Sequence, residues 1–255
     1  WYQRASFDDG TPIGTSSSAE AKIDILPQAW ASLTGGGDPG RAAQALDSAW
    51  THLVRPHTGL VLLFDPPFDK MEPTPGYIRG YPPGVRENGG QYTHAAMWLA
   101  MALARSGDGR RAVEILRMLD PVEHARDVDG VWRYGVEPYV VAADVYNAPG
   151  RVGQGGWSWY TGSAAWMYRT WIEEVLGLKL RGDSLSLDPV IPPEWPGFRI
   201  TYRHGEAVYE IQVENPEHVS RGVASVLLDG RPVEGKAIPL ERDLVKHRVV
   251  VRMGV

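Results

Sequence analysis

Two short segments of the sequence concentrate residue types that can bind an anion. The first, residues 157–163, reads WSWYTGS; it follows three glycines and precedes an apolar pattern of helical period. The first N–H groups of a helix lack partners and lie at the positive end of its dipole. Thr161 adds a hydroxyl there, and Gly162 lets an anion approach the backbone. The alternative is that Thr161 or Ser163 only caps the helix.

The second segment, residues 86–94, reads RENGGQYTH and stands at another predicted helix start. It places a guanidinium, a carboxylate, an amide and an imidazole within a short stretch beside two glycines. His94 falls on the first helical turn, where its ring could donate to an anion. A single histidine is more often structural, and this alternative stays open.

Three further places carry weaker signals. Asp24 and Gln28 are spaced i, i+4 on the first predicted helix, so both side chains could reach one cavity. Glu137 and Asp144 lie in a loop rich in glycine, proline and aromatics. Residues 8–10 read DDG, which predicts only a turn.

Composition and missing motifs exclude several classes of function. The net charge is −5 and no basic stripe is present, which argues against a nucleic-acid partner. There is no P-loop, dinucleotide fingerprint, HExxH or GxSxG motif. His52 and His57 have no carboxylate in register, so no metal site is predicted. The absence of cysteine fits a reducing compartment, and we expect a cytoplasmic location.

No apolar run approaches the ~20 residues that span a bilayer. The sequence begins with Trp1 instead of Met, and we expect it to be part of a longer polypeptide.

Ten Trp and eleven Tyr accompany only four Phe. Trp and Tyr combine an apolar face with a polar edge, which suits stacking on sugar rings; the alternative is packing in the core.

The predicted secondary structure that positions these residues changes from helix to strand near residue 183. Before it, apolar residues recur at helical spacing, with Asp38 and Asp108 as N-caps of the second helix of each pair. The predicted helices cover 20–34, 38–54, 90–106, 109–118 and 161–177. Long loops, 64–89 and 119–160, precede the two candidate segments, and such loops are often functional.

After residue 183 the period becomes two, which predicts an antiparallel β module of about five strands. The alternating runs are 185–187, 198–202, 207–213, 224–228 and 247–251, and the dipeptide at 229–230 (DG) predicts a hairpin. We therefore predict a helical domain over 1–183 and a β module over 184–255.

Three longer segments resemble family-94 glycoside phosphorylases: YPPGVRENGGQYTHAA at 81–96, VEPYVVAADVY at 136–146 and GGWSWYTGSAAWMYR at 155–169. FDDGTPIGT at 7–15 and DPVIPPEWPGFRITYRHG at 188–205 extend the likeness over nearly the whole chain. Within the family, the chain is most similar to the C-terminal, phosphorylase-like region of cyclic β-1,2-glucan synthases. Those parents can be membrane-anchored, with this region facing the cytoplasm.

The resemblance implies a mainly α fold, part of an (α/α)6 barrel built from helix pairs, followed by a small antiparallel β-sandwich. It implies cleavage of a β-glucosidic bond by inorganic phosphate, with inversion, to give α-glucose 1-phosphate. No other cofactor is implied. The partners are a β-glucan oligosaccharide, phosphate and the rest of the parent polypeptide.

The resemblance also implies the site residues. His94, Thr161 and Gly162 match the family's phosphate site. Arg86 and Glu87 match a basic and acidic pair at the sugar site, and Gln28 and Tyr160 match further sugar contacts.

One feature of the family pattern is absent. The family's general acid is an Asp in an Asp-Trp-Asn-Asp type motif, and no such motif occurs here. We therefore expect no catalytic residue in this chain, which alone would be inactive. The alternative is a non-catalytic carbohydrate-binding module; a helical scaffold for protein partners fits the polar loops poorly.

Overall fold

The helices fall largely where the apolar spacing predicts them. The computed structural model describes residues 1–159 and 161–254. Its helices are α1 (Ile25–Leu33), α2 (Pro39–Leu53), α3 (Thr93–Arg105), α4 (Gly109–Met118), α5 (Pro121–His124), α6 (Val128–Tyr134) and α7 (Ser163–Arg169). A π-helical segment, Thr170–Val175, follows α7 directly, and Gly76–Gly80 forms a 3-10 helix.

Both predicted N-caps are confirmed. Asp38 accepts a hydrogen bond from the Arg41 N–H at 2.7 Å, and Asp108 accepts one from the Arg111 N–H at 3.0 Å. Each carboxylate thereby satisfies a donor that the first helical turn leaves unpaired. The same device starts α2 and α4.

The second predicted loop is not structureless, and that part of the prediction was wrong. Residues 119–160 contain α5 and α6, each opened by an aspartate. Asp120 caps the Val122 N–H at 2.9 Å, and Asp127 caps the Gly130 N–H at 2.7 Å. Both helices are too short to show a clear apolar period, so the pattern hid them.

Short strand pairs connect the helices of the first part of the chain. They are β1 (Ala5–Ser6) with β2 (Pro12–Ile13), β3 (Ile23–Asp24) with β6 (Phe64–Asp65), β4 (Val54–Arg55) with β5 (Leu60–Val61), and β7 (Gln91–Tyr92) with β8 (Asp144–Val145). Residues 8–9 form the predicted turn between β1 and β2. The β7–β8 pair is the one nearest to the candidate site, because β7 ends immediately before α3, which carries His94.

The C-terminal strands form two sheets. The strands are β9 (Leu178–Arg181), β10 (Ser184–Leu187), β11 (Gly197–His204), β12 (Ala207–Glu214), β13 (Val223–Leu228), β14 (Arg231–Pro232), β15 (Ala237–Pro239) and β16 (Lys246–Met253). One sheet has the order β11-β12-β16-β13-β14 and the other β15-β10-β9. Asp229 and Gly230 form the predicted hairpin, both with positive φ.

The larger sheet is not wholly antiparallel, which corrects the prediction. β12 and β16 pair in parallel over seven residues, from Val208 opposite Lys246 to Glu214 opposite Arg252. A parallel pair needs a long connection that returns the chain to the same end of the sheet. Residues 215–245 provide it, and the alternation of side chains carries no information about strand direction.

The chain divides into two compact units: residues 1–106 with 114–168, and 107–113 with the residues from Arg169 on. Helices make up 31% and strands 25%, so the class is mixed helix and sheet, less helical than predicted. The boundary at residue 183, the (α/α)6 barrel and the β-sandwich stay predictions. Among the described residues, no helix has the length and apolarity to cross a membrane.

A histidine ties two loops of the second unit together. His247 Nδ1 lies 2.8 Å from a carboxylate oxygen of Asp229, and Nε2 lies 3.2 Å from one of Asp243. The Tyr209 ring stacks on the imidazole with ring centres 4.8 Å apart. Both nitrogens donate only when the ring is protonated. The hydrogen bond that the protonated ring donates to Asp229 therefore raises the pKa of His247.

We predict that His247 makes the stability of this chain pH-dependent. Because its folded-state pKa is raised, its contribution is fully present below the ordinary value of 6.5 and is lost as pH rises through the elevated pKa. The thermal midpoint of the wild type relative to His247→Gln should therefore fall between about pH 6 and about pH 8. Thermal unfolding by circular dichroism measures it, with the exposed His57→Gln as control. A pH-independent difference would contradict the expectation.

Candidate functional site

The two segments that the sequence suggests as anion-binding both contribute residues to one cleft in the first unit. The cleft has a volume of about 340 Å³. Its lining residues are Arg86, Tyr92, His94, Ala143, Trp157, Thr161, Gly162 and Ser163. Four residues implied by the family resemblance thus meet at one place, although they are separated by up to 76 positions in the chain (162 − 86).

A short ladder of backbone hydrogen bonds brings the segments together. The Thr93 N–H donates to the Ala143 carbonyl at 3.0 Å, and the Ala143 N–H donates to the Trp157 carbonyl at 2.6 Å. Tyr92 stands opposite Asp144 in the β7–β8 pair. The start of α3, strand β8 and the segment before α7 therefore lie side by side.

His94 is the second residue of α3 and is held among aromatic rings. Its ring centre lies 4.6 Å from that of Trp98 and 5.8 Å from that of Trp166. Burial lowers the pKa of His94, so the ring is neutral at pH 7. Its Nε2 is buried and has no hydrogen-bond partner in the described part of the chain. A neutral imidazole that donates from this atom can bind an anion without being protonated.

Arg86 brings a fixed positive charge to the cleft. Its guanidinium lies 5.7 Å from the centre of the Tyr81 ring, and its buried Nε finds no acceptor within residues 1–159 and 161–254. A buried donor without a partner is costly, and such groups are uncommon in native proteins. The spare donors of Arg86 and His94 at one cleft therefore indicate a missing acceptor.

The loop that carries Arg86 is fixed from inside. Asn88 is wholly buried; its amide donates to the Phe68 and Tyr81 carbonyls at 2.9 and 2.8 Å, and its oxygen accepts the Phe68 N–H at 2.7 Å. Gly84 has a φ of +83°, and a Cβ there would stand 2.6 Å from the Ala148 nitrogen. Only glycine fits this close approach. The polar density that marked this segment in the sequence thus serves partly to hold the loop.

Thr161 and Gly162 close the cleft on the side of α7. The Ser163 N–H donates to the Thr161 hydroxyl oxygen at 3.1 Å, so the capping alternative describes part of what Thr161 does. Thr161 nevertheless lines the cleft as well. A Cβ added to Gly162 would lie 3.5 Å from His94 Cε1, which shows how close the helix start is to the imidazole.

Asp144, which carried only a weak signal in the sequence, holds the backbone of the cleft-lining Trp157. It is fully buried; Oδ1 accepts the Trp157 N–H at 3.1 Å, and Oδ2 lacks a partner in the part of the chain that is described. Burial raises the pKa of Asp144, opposed by the Trp157 N–H and the charge of Arg86. Tyr92 was missed by the sequence reasoning; its place directly before the helix of His94 could have indicated it.

The part of the chain that contains this cleft matches a family model. Residues 1–177 match the model of the glycosyl hydrolase 94 superfamily, catalytic domain. The chain belongs to this family. The family resemblance seen in the sequence motifs is thereby confirmed.

Three curated relatives agree with the family model. The chain is 45% identical over 226 residues to the cyclic beta-(1,2)-glucan synthase of Rhizobium meliloti, covering 89% of this chain and 8% of that protein. It is 33% identical over 255 residues to N,N'-diacetylchitobiose phosphorylase of Vibrio proteolyticus, which covers 100% of this chain and 31% of that protein. It is 29% identical over 255 residues to solabiose phosphorylase of Paenibacillus borealis, which covers 99% of this chain and 32% of that protein.

The chain thus spans less than a third of the length of these relatives. Among solved structures, the family GH92 alpha-mannosidase of Bacteroides thetaiotaomicron is 12% identical, covering 91% of this chain and 24% of that chain. Its TM-score of 0.31 is too low to support a statement about fold.

Two of the residues implied by likeness to the family 94 phosphorylases, Glu87 and Gln28, are not among the residues that line the cleft. Glu87 is half-buried, does not line the cleft and accepts a hydrogen bond from the Tyr77 hydroxyl at 2.5 Å. Tyr160 lies outside the described residues. Gln28 is fully buried: its oxygen accepts the Tyr2 N–H at 2.7 Å, and its amide donates to the Asp24 and Tyr2 carbonyls at 2.7 and 3.0 Å. The predicted sugar contacts of these residues stay predictions.

Asp24, the helical neighbour of Gln28, is also buried in the interior. It forms an ion pair with Arg4 and caps the Leu26 N–H at 2.8 Å. Asp24 and Gln28 together attach the first residues of the chain to α1.

We predict that Gln28 is needed for stability. Gln28→Ala leaves the Tyr2 N–H without its buried acceptor and should lower the free energy of unfolding by about 2 kcal/mol. Gln44→Ala, at an exposed position of α2, is the matched control and should change it by less than about 0.5 kcal/mol. Urea titration measures both. Equal stability of the two variants, with weakened sugar binding in Gln28→Ala, would support the sugar contact instead.

Proposed function

We propose that this chain supplies the phosphate site and part of the sugar site of an inverting glycoside phosphorylase or glycosyltransferase that acts on a β-glucan. The observation that carries the proposal is the convergence on one cleft of two buried donors without partners, Arg86 Nε and His94 Nε2, with Thr161 and Gly162. Membership in the family supports the type of reaction.

The cleft offers the donors that a phosphate requires. Arg86 contributes a permanent charge, and hydrogen bonds between charged groups are about twice as strong as those between neutral ones. His94 donates from a neutral ring, and the Thr161 hydroxyl offers a further donor. Gly162 has no side chain, so a phosphate oxygen can reach the backbone. Because all four are held by the surrounding structure, little ordering is needed on binding.

In the proposed reaction, a phosphate oxygen forms a bond to the anomeric carbon as the bond from that carbon to the glycosidic oxygen breaks. The leaving oxygen takes a proton from a general acid, and the products are α-glucose 1-phosphate and a glucan shortened by one unit. An inverting cleavage needs a nucleophile opposite the acid, and here phosphate replaces the second carboxylate. This chain binds and orients phosphate, and the rest of the parent polypeptide supplies the acid.

The glucan linkage in this proposal is β-1,2. It rests on the 45% identity to a protein named as a cyclic beta-(1,2)-glucan synthase. In this proposal Arg86 serves both the phosphate and the sugar, because it is the cationic side chain among the residues that line the cleft. No cofactor besides inorganic phosphate enters the proposal.

We predict that Thr161→Ala weakens phosphate binding by about 1–3 kcal/mol, because a charge-assisted hydrogen bond is lost. Thr161→Ser keeps the hydroxyl and should keep most of the affinity. Titration calorimetry of the 255-residue chain with inorganic phosphate measures both. Thr51→Ala, on the exposed side of α2, is the control. Unchanged affinity in Thr161→Ala would remove Thr161 from the site.

We further predict that His94→Ala in the complete parent protein lowers kcat/KM for phosphate by about 100-fold, the cost of roughly 2.7 kcal/mol of lost binding. Release of glucose 1-phosphate from β-1,2-glucan oligosaccharides measures it. Glucan binding that is independent of both phosphate and His94, without phosphate-dependent product, would favour a carbohydrate-binding module instead.

A further inference from the structure

Two aromatic side chains, Tyr139 and Trp159, stand exposed beside the cleft; we call them the rim pair. Tyr139 is 71% and Trp159 66% exposed, and their ring centres lie 6.3 Å apart at 76°. Exposing two large aromatic rings to water is unfavourable, and exposed apolar groups that cluster mark binding surfaces. The rim pair therefore calls for an explanation beyond packing.

Trp159 is continuous with the cleft. Its carbonyl accepts the Thr161 N–H at 3.1 Å, and Trp157 and Thr161 on either side of it both line the cleft. Trp159 itself is not a lining residue; its exposed side chain stands between two residues that are. Its backbone has a φ of 67°, in the left-handed region that bulky residues rarely adopt. This unfavourable backbone conformation sets the position of the Trp159 indole.

The indole is fixed by a carboxylate. Its N–H donates to one oxygen of Glu137 at 2.8 Å, and the Ser158 hydroxyl donates to the other at 2.9 Å. The backbone N–H of Glu137 itself, followed by the hydrogen bonds from Trp159 and Ser158, lowers the pKa of Glu137, so the carboxylate stays ionised near neutral pH. With its only polar atom already used, the indole can offer a ligand its flat face.

The volume of the cleft indicates which part of a ligand could contact the face of the Trp159 indole. A cleft of about 340 Å³ lies at the small end of ligand pockets, which span about 300–1,000 Å³. We take such a space to hold a phosphate and one sugar unit. A longer glucan that leaves it beside Trp159 passes aromatic faces that match the apolar C–H surfaces of its sugar units.

We propose that the rim pair binds the sugar units of a β-glucan that extend beyond the cleft, and that Glu137 is the positioning residue that orients Trp159. This inference rests on the proposed function for its ligand. It assigns chain-length preference to the rim pair, whereas phosphate affinity belongs to His94 and Thr161.

The experiment compares a β-1,2-linked glucose disaccharide with the pentasaccharide by titration calorimetry on the full 255-residue chain. The wild type should bind the pentasaccharide more tightly. Trp159→Ala and Tyr139→Ala should each weaken pentasaccharide binding, Trp159→Ala by about tenfold, with little change for the disaccharide or for phosphate. Trp132→Ala, which removes an 82% exposed indole from α6, is the matched control and should change none of the three affinities.

The role of Glu137 is tested by coupling. Glu137→Gln should weaken pentasaccharide binding several-fold in the wild type but have little effect in Trp159→Phe, which keeps a flat ring and lacks the N–H. A merely structural role would lower phosphate affinity as well and would act equally in both backgrounds.

Equal affinity of the wild type for the two saccharides, or a length preference that survives Trp159→Ala and Tyr139→Ala, would overturn the inference about the rim pair. Phosphate binding that depends on Thr161 would still stand in that case. Loss of the proposed function has a different signature, which is no phosphate binding by the wild type.

Discussion

The candidate site depends on three backbone segments that lie side by side. The hydrogen bonds from Thr93 to Ala143 and from Ala143 to Trp157 connect the start of α3, strand β8 and the approach to α7. A backbone group buried without a partner costs about as much as a lost hydrogen bond, so this ladder is strongly favoured. It fixes where His94, Thr161 and Gly162 stand before any ligand arrives.

The side chains around the ladder divide into those that are satisfied and those that are not. Asn88, Gln28 and Asp24 use their polar atoms on neighbouring backbone or, for Asp24, also on Arg4. Arg86 Nε and His94 Nε2 are buried without partners in the described residues, and both belong to cleft-lining side chains. Other buried atoms also lack partners in the described residues, so it is the position at the cleft that singles out Arg86 and His94, and sequence spacing does not reveal it. Gln28 illustrates the point: its sugar contact stays a prediction from likeness to the family, while its hydrogen bonds attach Tyr2 to α1.

The rim pair can be analysed in the same way, by asking which of its groups are left free to contact the apolar surface of a ligand. Glu137 uses both oxygens on Trp159 and Ser158, so the indole N–H is occupied and the flat face of the indole is left for a ligand. The cleft combines donors of Arg86 and His94, unpartnered in the described residues, with the rings of Tyr92 and Trp157, whereas the rim pair offers exposed rings. In the proposed reaction the donors bind the charged phosphate, and the exposed rings bind neutral sugar units beyond the cleft.

The sequence by itself determined the positions of five helices, their aspartate caps and the strands after residue 183, because these follow from local periodicity and capping. It also determined the family, because long motifs carry that information without any structure. Tertiary structure decided the parallel pairing of β12 and β16, since side-chain alternation is the same for either direction. It also decided which polar residues meet, since His94 and Thr161 converge through hydrogen bonds between distant segments. Only the folded structure shows that the side-chain amide of Gln28 is hydrogen-bonded, whereas Arg86 Nε has no partner in the described part of the chain.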